Sequence, residues 1–337
     1  MWRFRFTKPR IVLVGAGRFG RNHLRVLKEI ESEGLCTLHG IVDTRSEVLE
    51  EVGRDHNIKT SSNIDDFLGD DVDGMDIVTP TGTHFKLCLK CLEAGKHVFV
   101  EKPLTTSHVQ AEQLVQMAEE RHRILMVGHI FRYNSAIRRI REIIEKGELG
   151  EIYYLFGRFM GIKNPRVDVG ALFNYTVHHI DIYNYLLDKP PEEVNCSTGY
   201  FLQRENLEDV CVLVLRYPPN TMGIVEGSWL PPGKHRDLTI VGSRKSITSD
   251  LLSQTLEVHK TYIKDKDGRL EAINEGSTRI DVQFEEPLKL ELMDFIQCIG
   301  NGKEPLASGR TAINVIKTVE KALESARLGR KVRIFGN

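Results

Sequence analysis

The stretch that decides the fold is VLVGAGRFG, residues 12–20. It is a G-x-G-x-x-G pattern that directly follows an apolar strand and opens a helix. Gly15 allows the tight turn, Gly17 lets the backbone approach a pyrophosphate, and Gly20 lets the helix pack closely on the strand. The phosphates are expected at the helix N-terminus, where N–H groups and the helix dipole favour negative charge. Two intervening residues are expected to line the same dinucleotide: Arg18 and Phe19.

A carboxylate follows the second predicted strand at the distance typical of dinucleotide-binding folds. The strand Leu38–Val42 is followed at once by Asp43, roughly 20 residues beyond the glycines. A carboxylate at this point accepts hydrogen bonds from the ribose hydroxyls and repels a 2′-phosphate. Asp43 therefore favours NAD over NADP as the cofactor, although the nearby Arg45 weakens that preference.

The first 128 residues alternate between strand and helix patterns. The apolar runs that predict strands are Arg10–Val14, Leu38–Val42, Met75–Val78, His97–Val100 and Ile124–Val127. Helical patterns lie between them, near Gly20–Ile30, Arg45–Arg54, His84–Ala94 and Ser107–Arg121. This alternation predicts βαβ units, and so an α/β Rossmann domain whose parallel sheet is covered by helices on both faces.

The pattern changes after residue 128. The next predicted elements are an amphipathic helix over Asn134–Lys146, a long strand over Glu151–Ile162 and a helix near Thr176–Leu187. Strand patterns follow at Val210–Tyr217, Met222–Trp229, Leu238–Val241 and Leu256–Val258, and helices near Leu288–Ile299 and Thr311–Arg327 end the chain. Strands without intervening helices predict an α+β domain with a large, mostly antiparallel open sheet.

Three segments are expected from this change of pattern. Residues 1–128 form the NAD-binding domain, and residues 129–303 form a substrate-binding and oligomerisation domain. Residues 304–337 form a C-terminal helix that packs back on the first domain.

Composition excludes several classes of protein. The chain has 337 residues, a net charge of −1 and 41% hydrophobic residues, which is typical of a soluble protein with about two domains. The balanced charge argues against nucleic acid or an anionic membrane as a partner. No apolar run approaches the ~20 residues that cross a bilayer, and we expect a cytoplasmic protein. Cys88 and Cys91 form a C-x-x-C in a helical pattern, but nothing completes a zinc site, so no metal is expected.

The most specific string is GKHVFVEKP, residues 95–103. It places Glu101 and Lys102 at the carboxyl end of a buried strand, where open α/β sheets bind their ligands. Lys102 is therefore expected to point toward the cofactor cleft, and Pro103 fixes the backbone just after it.

A second strand end carries TPTGTH, residues 79–84. Thr79, Pro80 and His84 are expected beside the cofactor, and Thr83 is expected as the N-cap of the following helix.

Three strings in this order resemble a known family: GAGRFG, TPTGTH with GKHVFVEKP, and GALFNYTVHHID at residues 170–181. The chain resembles the glucose–fructose oxidoreductase, inositol dehydrogenase and rhizopine-catabolism (Gfo/Idh/MocA) family over nearly its full length. The resemblance implies NAD-dependent hydride transfer to or from a sugar-like hydroxyl. It also implies that Lys102 is the active-site lysine, where its charge would stabilise a developing alkoxide.

The resemblance implies further catalytic groups in residues 170–181. The family pattern D-x-x-x-H-x-x-D, matched on Asp181, places the catalytic histidine at His178 and puts Asn174 where the family has aspartate. Asparagine cannot act as a base, but it can bind substrate or orient Lys102. His178 suits the chemistry because histidine accepts protons near neutral pH. His179 is a weaker candidate, and Asp181 is expected to orient His178 or its helix.

The substrate is less firmly indicated. The segment at residues 127–154 resembles family members that act at the 3-position of UDP-N-acetylhexosamines or their uronic acids. Basic side chains are expected to bind a diphosphate or carboxylate, although ordinary surface charge is an equal alternative for each. The expected substrate-binding residues are Lys102, Arg132, Arg166, Asn174 and His178, with Arg158 and Lys163 as further candidates.

Two other functions stay open: an inositol or free-sugar dehydrogenase, and a non-catalytic NAD-binding sensor. Only Asn174 favours the sensor, and a fold by itself does not fix a function. The long strand over Glu151–Ile162 suits the flat sheet contact typical of the family, so a homodimer or homotetramer through the C-terminal sheet is expected.

Overall fold

A computed structural model describes residues 8–202 and 207–335. The chain divides into two compact units. Of the described residues, 8–130 and 286–313 form the first unit, and 131–202, 207–285 and 314–335 form the second.

The first unit is built on a six-stranded parallel sheet in the order β3-β2-β1-β4-β5-β6. The strands are β1 (Arg10–Val14), β2 (Thr37–Val42), β3 (Thr60–Ser61), β4 (Gly74–Ile77), β5 (His97–Glu101) and β6 (Leu125–Gly128). The helices between them are α1 (Gly20–Ser32), α2 (Ser46–His56), α3 (Thr81–Glu93) and α4 (His108–Glu120). The predicted Rossmann architecture is confirmed.

The strand order of this sheet reverses between β1 and β4. Ile11, Val12 and Leu13 of β1 are fully buried, as expected for a strand covered on both faces. Ligands of open α/β sheets bind outside the carboxyl ends of the strands at such a reversal. Val14 and Glu101, the last residues of β1 and β5, therefore lie at the edge where a cofactor is expected.

The second unit is built on a nine-stranded sheet in the order β14-β13-β12-β11-β7-β10-β9-β8-β15. Among the described strands of this sheet, only the β7–β10 pair is parallel, so the expected, mostly antiparallel sheet is confirmed. Its strands are β7 (Ile152–Gly161), β8 (Glu193–Gly199), β9 (Val210–Tyr217), β10 (Thr221–Ser228), β11 (Lys234–Gly242), β12 (Ser246–Asp250), β13 (Thr255–Lys266), β14 (Arg269–Ile280) and β15 (Val332–Arg333).

Two helices of the second unit precede most of these strands, α5 (Ser135–Glu145) and α6 (Val177–Leu187). Helix α6 packs on the face of the sheet to which Gly157 of β7 belongs. A Cβ at Gly157 would lie 2.1 Å from His179 Cδ2 and 2.8 Å from Tyr183 Oη. The close approach of α6 to the sheet therefore requires glycine at this position.

The last helices are α7 (Pro287–Asn301) and α8 (Gly309–Leu328), and their grouping differs from the expected boundaries. Helix α7 belongs to the first unit, where the rings of Phe295 and Phe99 lie 5.8 Å apart. Residues 314–335 belong to the second unit, where the Cys196 N–H donates to Ser325 Oγ at 3.0 Å. The helical spacing of apolar residues predicts that a helix forms. It does not predict which of the two units the apolar face of that helix packs against. Within the described residues, no helix has the length and apolarity needed to span a bilayer.

Candidate active site

The loop after β1 presents backbone N–H groups to an anion. The Gly15 N–H donates to Val42 O at 2.7 Å, and the Ala16 N–H donates to Asp43 Oδ2 at 2.9 Å. The N–H groups of residues 17–20 have no acceptor within residues 8–202 and 207–335. They lie where α1 begins, and the first turn of α1 carries no acidic side chain. Such donors fit the pyrophosphate of a dinucleotide.

The three glycines of this loop have different physical roles. Gly15 has φ +98°, and a Cβ there would lie 2.7 Å from Val78 O. A Cβ at Gly20 would lie 1.9 Å from Gly15 O, so both positions exclude any side chain. At Gly17, by contrast, the nearest atom to a Cβ is Arg45 Nη2 at 3.7 Å. The space at Gly17 is therefore open to a ligand, and the residues present fit NAD.

Asp43 lies directly after β2 and is buried. Its carboxylate accepts hydrogen bonds from the Ala16 N–H and from Arg45, whose Nε and Nη2 each lie 2.9 Å from a carboxylate oxygen. Burial alone would raise the pKa of Asp43, but the hydrogen bonds from Arg45 and Ala16 lower it. The carboxylate is therefore ionised at neutral pH, and its negative charge opposes a 2′-phosphate.

An Asp43→Ser variant is expected to weaken NAD binding by about tenfold, because one charge-assisted hydrogen bond to the ribose is lost. NADP binding should strengthen at the same time, because Arg45 loses its carboxylate partner and can pair with a 2′-phosphate. Both dissociation constants are measured by titration of the purified variant. Adding Arg45→Gln should remove the gain for NADP, and an unchanged NAD:NADP ratio in Asp43→Ser would contradict the assignment.

His84 fastens two strand ends together. It is buried in α3, with Nδ1 2.8 Å from Pro103 O and Nε2 2.9 Å from Thr79 O. It therefore ties the segment after β4 to the Glu-Lys-Pro segment after β5. The expected N-cap at Thr83 is wrong: α3 begins at Thr81 after Pro80, and the Thr83 hydroxyl donates to Pro80 O at 2.7 Å.

Lys102 follows β5 directly, and the residue before it belongs to a buried charge cluster. His23 of α1 lies between two carboxylates, with Nδ1 2.9 Å from Asp76 and Nε2 3.4 Å from Glu101. The Lys102 N–H lies 3.2 Å from Glu101 Oε2. A Cβ at Gly128 would lie 2.7 Å from Glu101 Oε1, so β6 leaves room for this carboxylate. The cluster of Asp76, His23 and Glu101 therefore fixes the backbone from which Lys102 extends.

The His23 imidazole is expected to be charged in the folded state. Burial lowers its pKa, but the charges and hydrogen bonds of Asp76 and Glu101 outweigh burial and raise it to about 10. Burial raises the pKa of Asp76, and the charge of His23 opposes that rise. Two flanking carboxylates favour the imidazolium.

The stability of the protein should therefore fall as pH rises through about 10. A folded-state pKa above the unfolded value gives a stabilisation that is complete below pH ~6.5 and lost by the folded-state pKa. Urea unfolding between pH 6 and 10.5 is compared in the wild type and His23→Gln. The difference between them should shrink with rising pH. A constant difference would refute the charged His23.

In the second unit, the segment before α6 is a π-helical turn, Leu172–Thr176. The predicted helix began at Thr176, so this turn was missed. Gly170 begins the segment because Glu208 packs over it: a Cβ there would lie 2.2 Å from Glu208 Cδ. Glu208 also accepts the Leu172 N–H at 2.8 Å, which caps the turn. Asn174 is buried in this turn, and π-turns are frequent at functional sites.

The structure separates the two neighbouring histidines. His179 is fully buried, its Nε2 lies 3.0 Å from Asp237 O, and burial lowers its pKa to about 4. It is therefore neutral and packs against the sheet. His178 lies on another side of α6 and stacks on Phe159, with ring centroids 4.4 Å apart and an interplanar angle of 22°. His178 therefore stays the better candidate for proton transfer.

Arg132, expected to bind substrate, forms a buried ion pair instead. Its Nε lies 2.9 Å and its Nη2 2.6 Å from carboxylate oxygens of Asp181, and both side chains are almost fully buried. Burial would lower the pKa of Arg132, but the charge of Asp181 raises it. Asp181 therefore joins α6 to the segment before α5. The pair argues against a substrate role for Arg132.

The other basic candidates also have partners. Arg166 forms an ion pair with Asp168, with Nε 2.7 Å from Oδ1, and Arg158 pairs with Asp237 at 2.9 Å. Lys163 Nζ lies 4.6 Å from the centroid of the Tyr175 ring. The expected substrate role of Arg166 stays a prediction, and its charge is already compensated by Asp168.

The basic residue that sequence reasoning missed is Arg236 in β11. Its guanidinium carbon lies 3.5 Å from the centroid of Phe159, the ring on which His178 stacks. The available signal was weak: Arg236 is one of several charged residues in GKHRD, residues 233–237, just after a turn. Charge in such a position normally indicates solvent exposure, whereas Arg236 is half-buried.

Comparison with known proteins agrees with this architecture. A family model described as "Oxidoreductase family, NAD-binding Rossmann fold" matches residues 9–129. Its companion, "Oxidoreductase family, C-terminal alpha/beta domain", matches residues 141–334. Both are models of the Gfo/Idh/MocA family, and together they cover most of the chain.

Relatives are similar over nearly the full length. The chain is 28% identical to scyllo-inositol 2-dehydrogenase (NAD⁺) of Bacillus subtilis, over 96% of each protein. It is 26% identical to UDP-N-acetylglucosamine 3-dehydrogenase of Acidithiobacillus ferrooxidans, over 88% of this chain and 90% of that protein. The structure of levoglucosan dehydrogenase in complex with NADH superposes with a TM-score of 0.85 at 20% identity, covering 98% of this chain and all of the other. The chain belongs to the Gfo/Idh/MocA family and is an oxidoreductase that uses NAD.

Proposed function

We propose that the protein transfers a hydride between NAD and the 3-hydroxyl of a UDP-N-acetylhexosamine or its uronic acid. The main observation that supports the catalytic part of this proposal is the position of Lys102. It follows β5 at the sheet edge where β1 leads into the glycine loop, and the buried cluster of His23, Asp76 and Glu101 fixes its backbone. A lysine with such support at the carboxyl end of a strand is suited to chemistry beside the cofactor.

The residues divide the reaction between charge stabilisation and proton transfer. NAD held at the glycine loop would supply the group that accepts or returns the hydride. When a substrate alcohol is oxidised, its carbon loses a hydride, its hydroxyl loses a proton to His178, and a carbonyl forms. Lys102 donates a hydrogen bond to the reacting oxygen and stabilises its developing negative charge. Asn174 holds a neighbouring substrate hydroxyl through its amide.

Two observations support a nucleotide sugar. One relative that matches most of the chain is a UDP-N-acetylglucosamine 3-dehydrogenase, and residues 127–154 resemble members with that substrate class. The inositol alternative has its own support, because scyllo-inositol 2-dehydrogenase matches at a similar level. The non-catalytic sensor is favoured only by Asn174, which cannot serve as a base.

The test is the near-ultraviolet absorbance of reduced nicotinamide. Purified protein and NAD⁺ are mixed separately with UDP-N-acetylglucosamine, its uronic acid, myo-inositol, scyllo-inositol and free hexoses. A rise with a nucleotide sugar supports the proposed substrate. A rise only with an inositol or a hexose supports dehydrogenase activity but contradicts the proposed nucleotide-sugar substrate. NAD binding without turnover of any of these compounds favours the alternative that the protein is a non-catalytic NAD-binding sensor.

We further propose that the protein is a homodimer or homotetramer formed through the nine-stranded sheet. Tyr154 of β7 and Val212 of β9 are exposed on the sheet face opposite the buried Leu155 and Leu213. Apolar side chains exposed on a flat sheet favour contact with a second copy. Light scattering should give a multiple of the 38.4 kDa chain mass, and Tyr154→Lys should lower it.

A further inference from the structure

Arg236 lies among aromatic rings in the second unit. Its guanidinium carbon is 3.5 Å from the centroid of Phe159 and 5.4 Å from that of Tyr175. Its Nη1 donates to the carbonyl oxygens of Met160 at 2.5 Å and His235 at 2.7 Å. These contacts hold the plane of the guanidinium in one orientation, and both use Nη1. The Tyr175 hydroxyl is a further hydrogen-bonding neighbour of the guanidinium.

Arg236 differs from the other arginines of this sheet region in its ionic surroundings. Within the part of the chain that the structure describes, no carboxylate forms an ion pair with it. By contrast, Arg158 on the neighbouring strand pairs with Asp237. Burial lowers the pKa of Arg236 to about 10, so it is still protonated at neutral pH. A half-buried guanidinium without an anion is energetically costly, which favours an anion as its missing partner.

Tyr175 adds a second hydrogen-bond donor beside Arg236. Its side chain is 2% exposed, and its hydroxyl is buried without a hydrogen bond of normal geometry. Burial raises its pKa, so the hydroxyl keeps its proton and can donate it. Lys163 Nζ lies 4.6 Å from the centroid of the same ring and adds positive charge nearby.

Phe159 places this pair next to His178. His178 stacks nearly parallel on the Phe159 ring at 4.4 Å, while Arg236 lies 3.5 Å from the same centroid. One face of a ring cannot hold both groups at these distances, so they occupy opposite faces. A single aromatic ring therefore separates the proposed proton acceptor from the guanidinium of Arg236.

We propose that Arg236 and Tyr175 bind an oxyanion carried by the substrate, either a carboxylate on the sugar or a phosphate attached to it. The two remaining guanidinium nitrogens and the phenol hydroxyl all donate, which matches a planar carboxylate or two phosphate oxygens. A neutral hydroxyl would not compensate the charge. This inference rests on the proposed function, because it uses His178 to mark where the reacting hydroxyl lies.

The test measures binding rather than turnover, so it stands apart from the test of the dehydrogenase. In a Trp2→Phe background, Trp229 is the only tryptophan, and its ring lies 6.1 Å from that of Tyr175. Its fluorescence is titrated with D-glucuronate, D-glucose, UDP and UDP-N-acetylglucosamine in NAD-loaded protein. NAD binding is measured separately in each variant to confirm that the first unit is intact.

Glucuronate or UDP is expected to bind the parent at least tenfold more tightly than glucose. Arg236→Gln should weaken that binding by about 10- to 100-fold, Arg236→Lys should retain part of it, and Tyr175→Phe should cause a smaller loss. Arg269→Gln, which removes an exposed arginine of β14, should bind like the parent. Dependence on Arg236 for glucuronate assigns the site to a carboxylate, and dependence for UDP assigns it to a phosphate. Equal binding of both anions by the parent and Arg236→Gln would overturn the proposal.

Discussion

A Lys102→Met variant is expected to bind NAD nearly as well as the wild type and to lose turnover by about 10³-fold, because a preorganised positive charge at the reacting oxygen contributes on this scale. Methionine keeps the length and apolar volume of the side chain and removes only the ammonium group. The backbone of residue 102 is also held independently of its side chain, by Glu101 and the His84 contact to Pro103. The loss should therefore appear in kcat, with the fold unchanged.

The measurement is initial rate at saturating NAD with the substrate identified by the absorbance panel, together with NAD binding. Lys86→Met is a matched control, because Lys86 is an exposed residue of α3 in the same unit. It should leave kcat unchanged. Unchanged turnover in Lys102→Met would remove Lys102 from the mechanism. Lost NAD binding would instead make Lys102 a cofactor-binding residue.

An Arg132→Met variant is expected to lower the free energy of unfolding of the second unit by about 3–5 kcal/mol, because it leaves the buried carboxylate of Asp181 without its partner. The double variant Arg132→Met/Asp181→Leu should recover much of that loss, since no uncompensated charge remains buried. Arg132 and Asp181 are both nearly inaccessible to solvent. Water therefore cannot solvate the unpaired carboxylate of Asp181 in the single variant.

Urea unfolding followed by the fluorescence of buried Trp229 measures this effect. Arg139→Met is the control, because Arg139 forms an exposed pair with Glu142 and such pairs contribute at most about 1 kcal/mol. An Arg132→Met loss no larger than the control would show that the pair is not important for stability. Equal losses in the single and double variants would show that packing, not the buried charge, is responsible.

The cofactor site could be predicted because its determinants are local in sequence. The turn at Gly15, the open space at Gly17 and the close contact at Gly20 all depend on residues adjacent to one strand end. Asp43 was found from a fixed spacing, and its contact with the Ala16 N–H agrees with that position. Lys102 was predicted in the same way, from the end of an apolar strand, and its role in the reaction stays a prediction.

The second unit was predicted less completely because its contacts join distant segments. The polar strands β12 and β14 were missed, since most of β14 is exposed and lacks an alternating apolar pattern. The π-helical turn was also missed, because it depends on Glu208 packing over Gly170 from 38 residues away. Four basic residues were equal candidates by sequence, and only their partners distinguish them.

The sequence by itself determined the Rossmann fold, the choice of NAD and the strand end that carries Lys102, because strand periodicity and glycine turns are set by neighbouring residues. Tertiary structure decided which charged side chains form ion pairs within the protein and which can bind a ligand. It paired Arg132 with Asp181, enclosed His23 between Asp76 and Glu101, and placed Arg236 beside Phe159, where no carboxylate of residues 8–202 and 207–335 forms an ion pair with it. The protonation and pairing of an ionisable group depend on burial and on neighbours that folding brings from far along the chain.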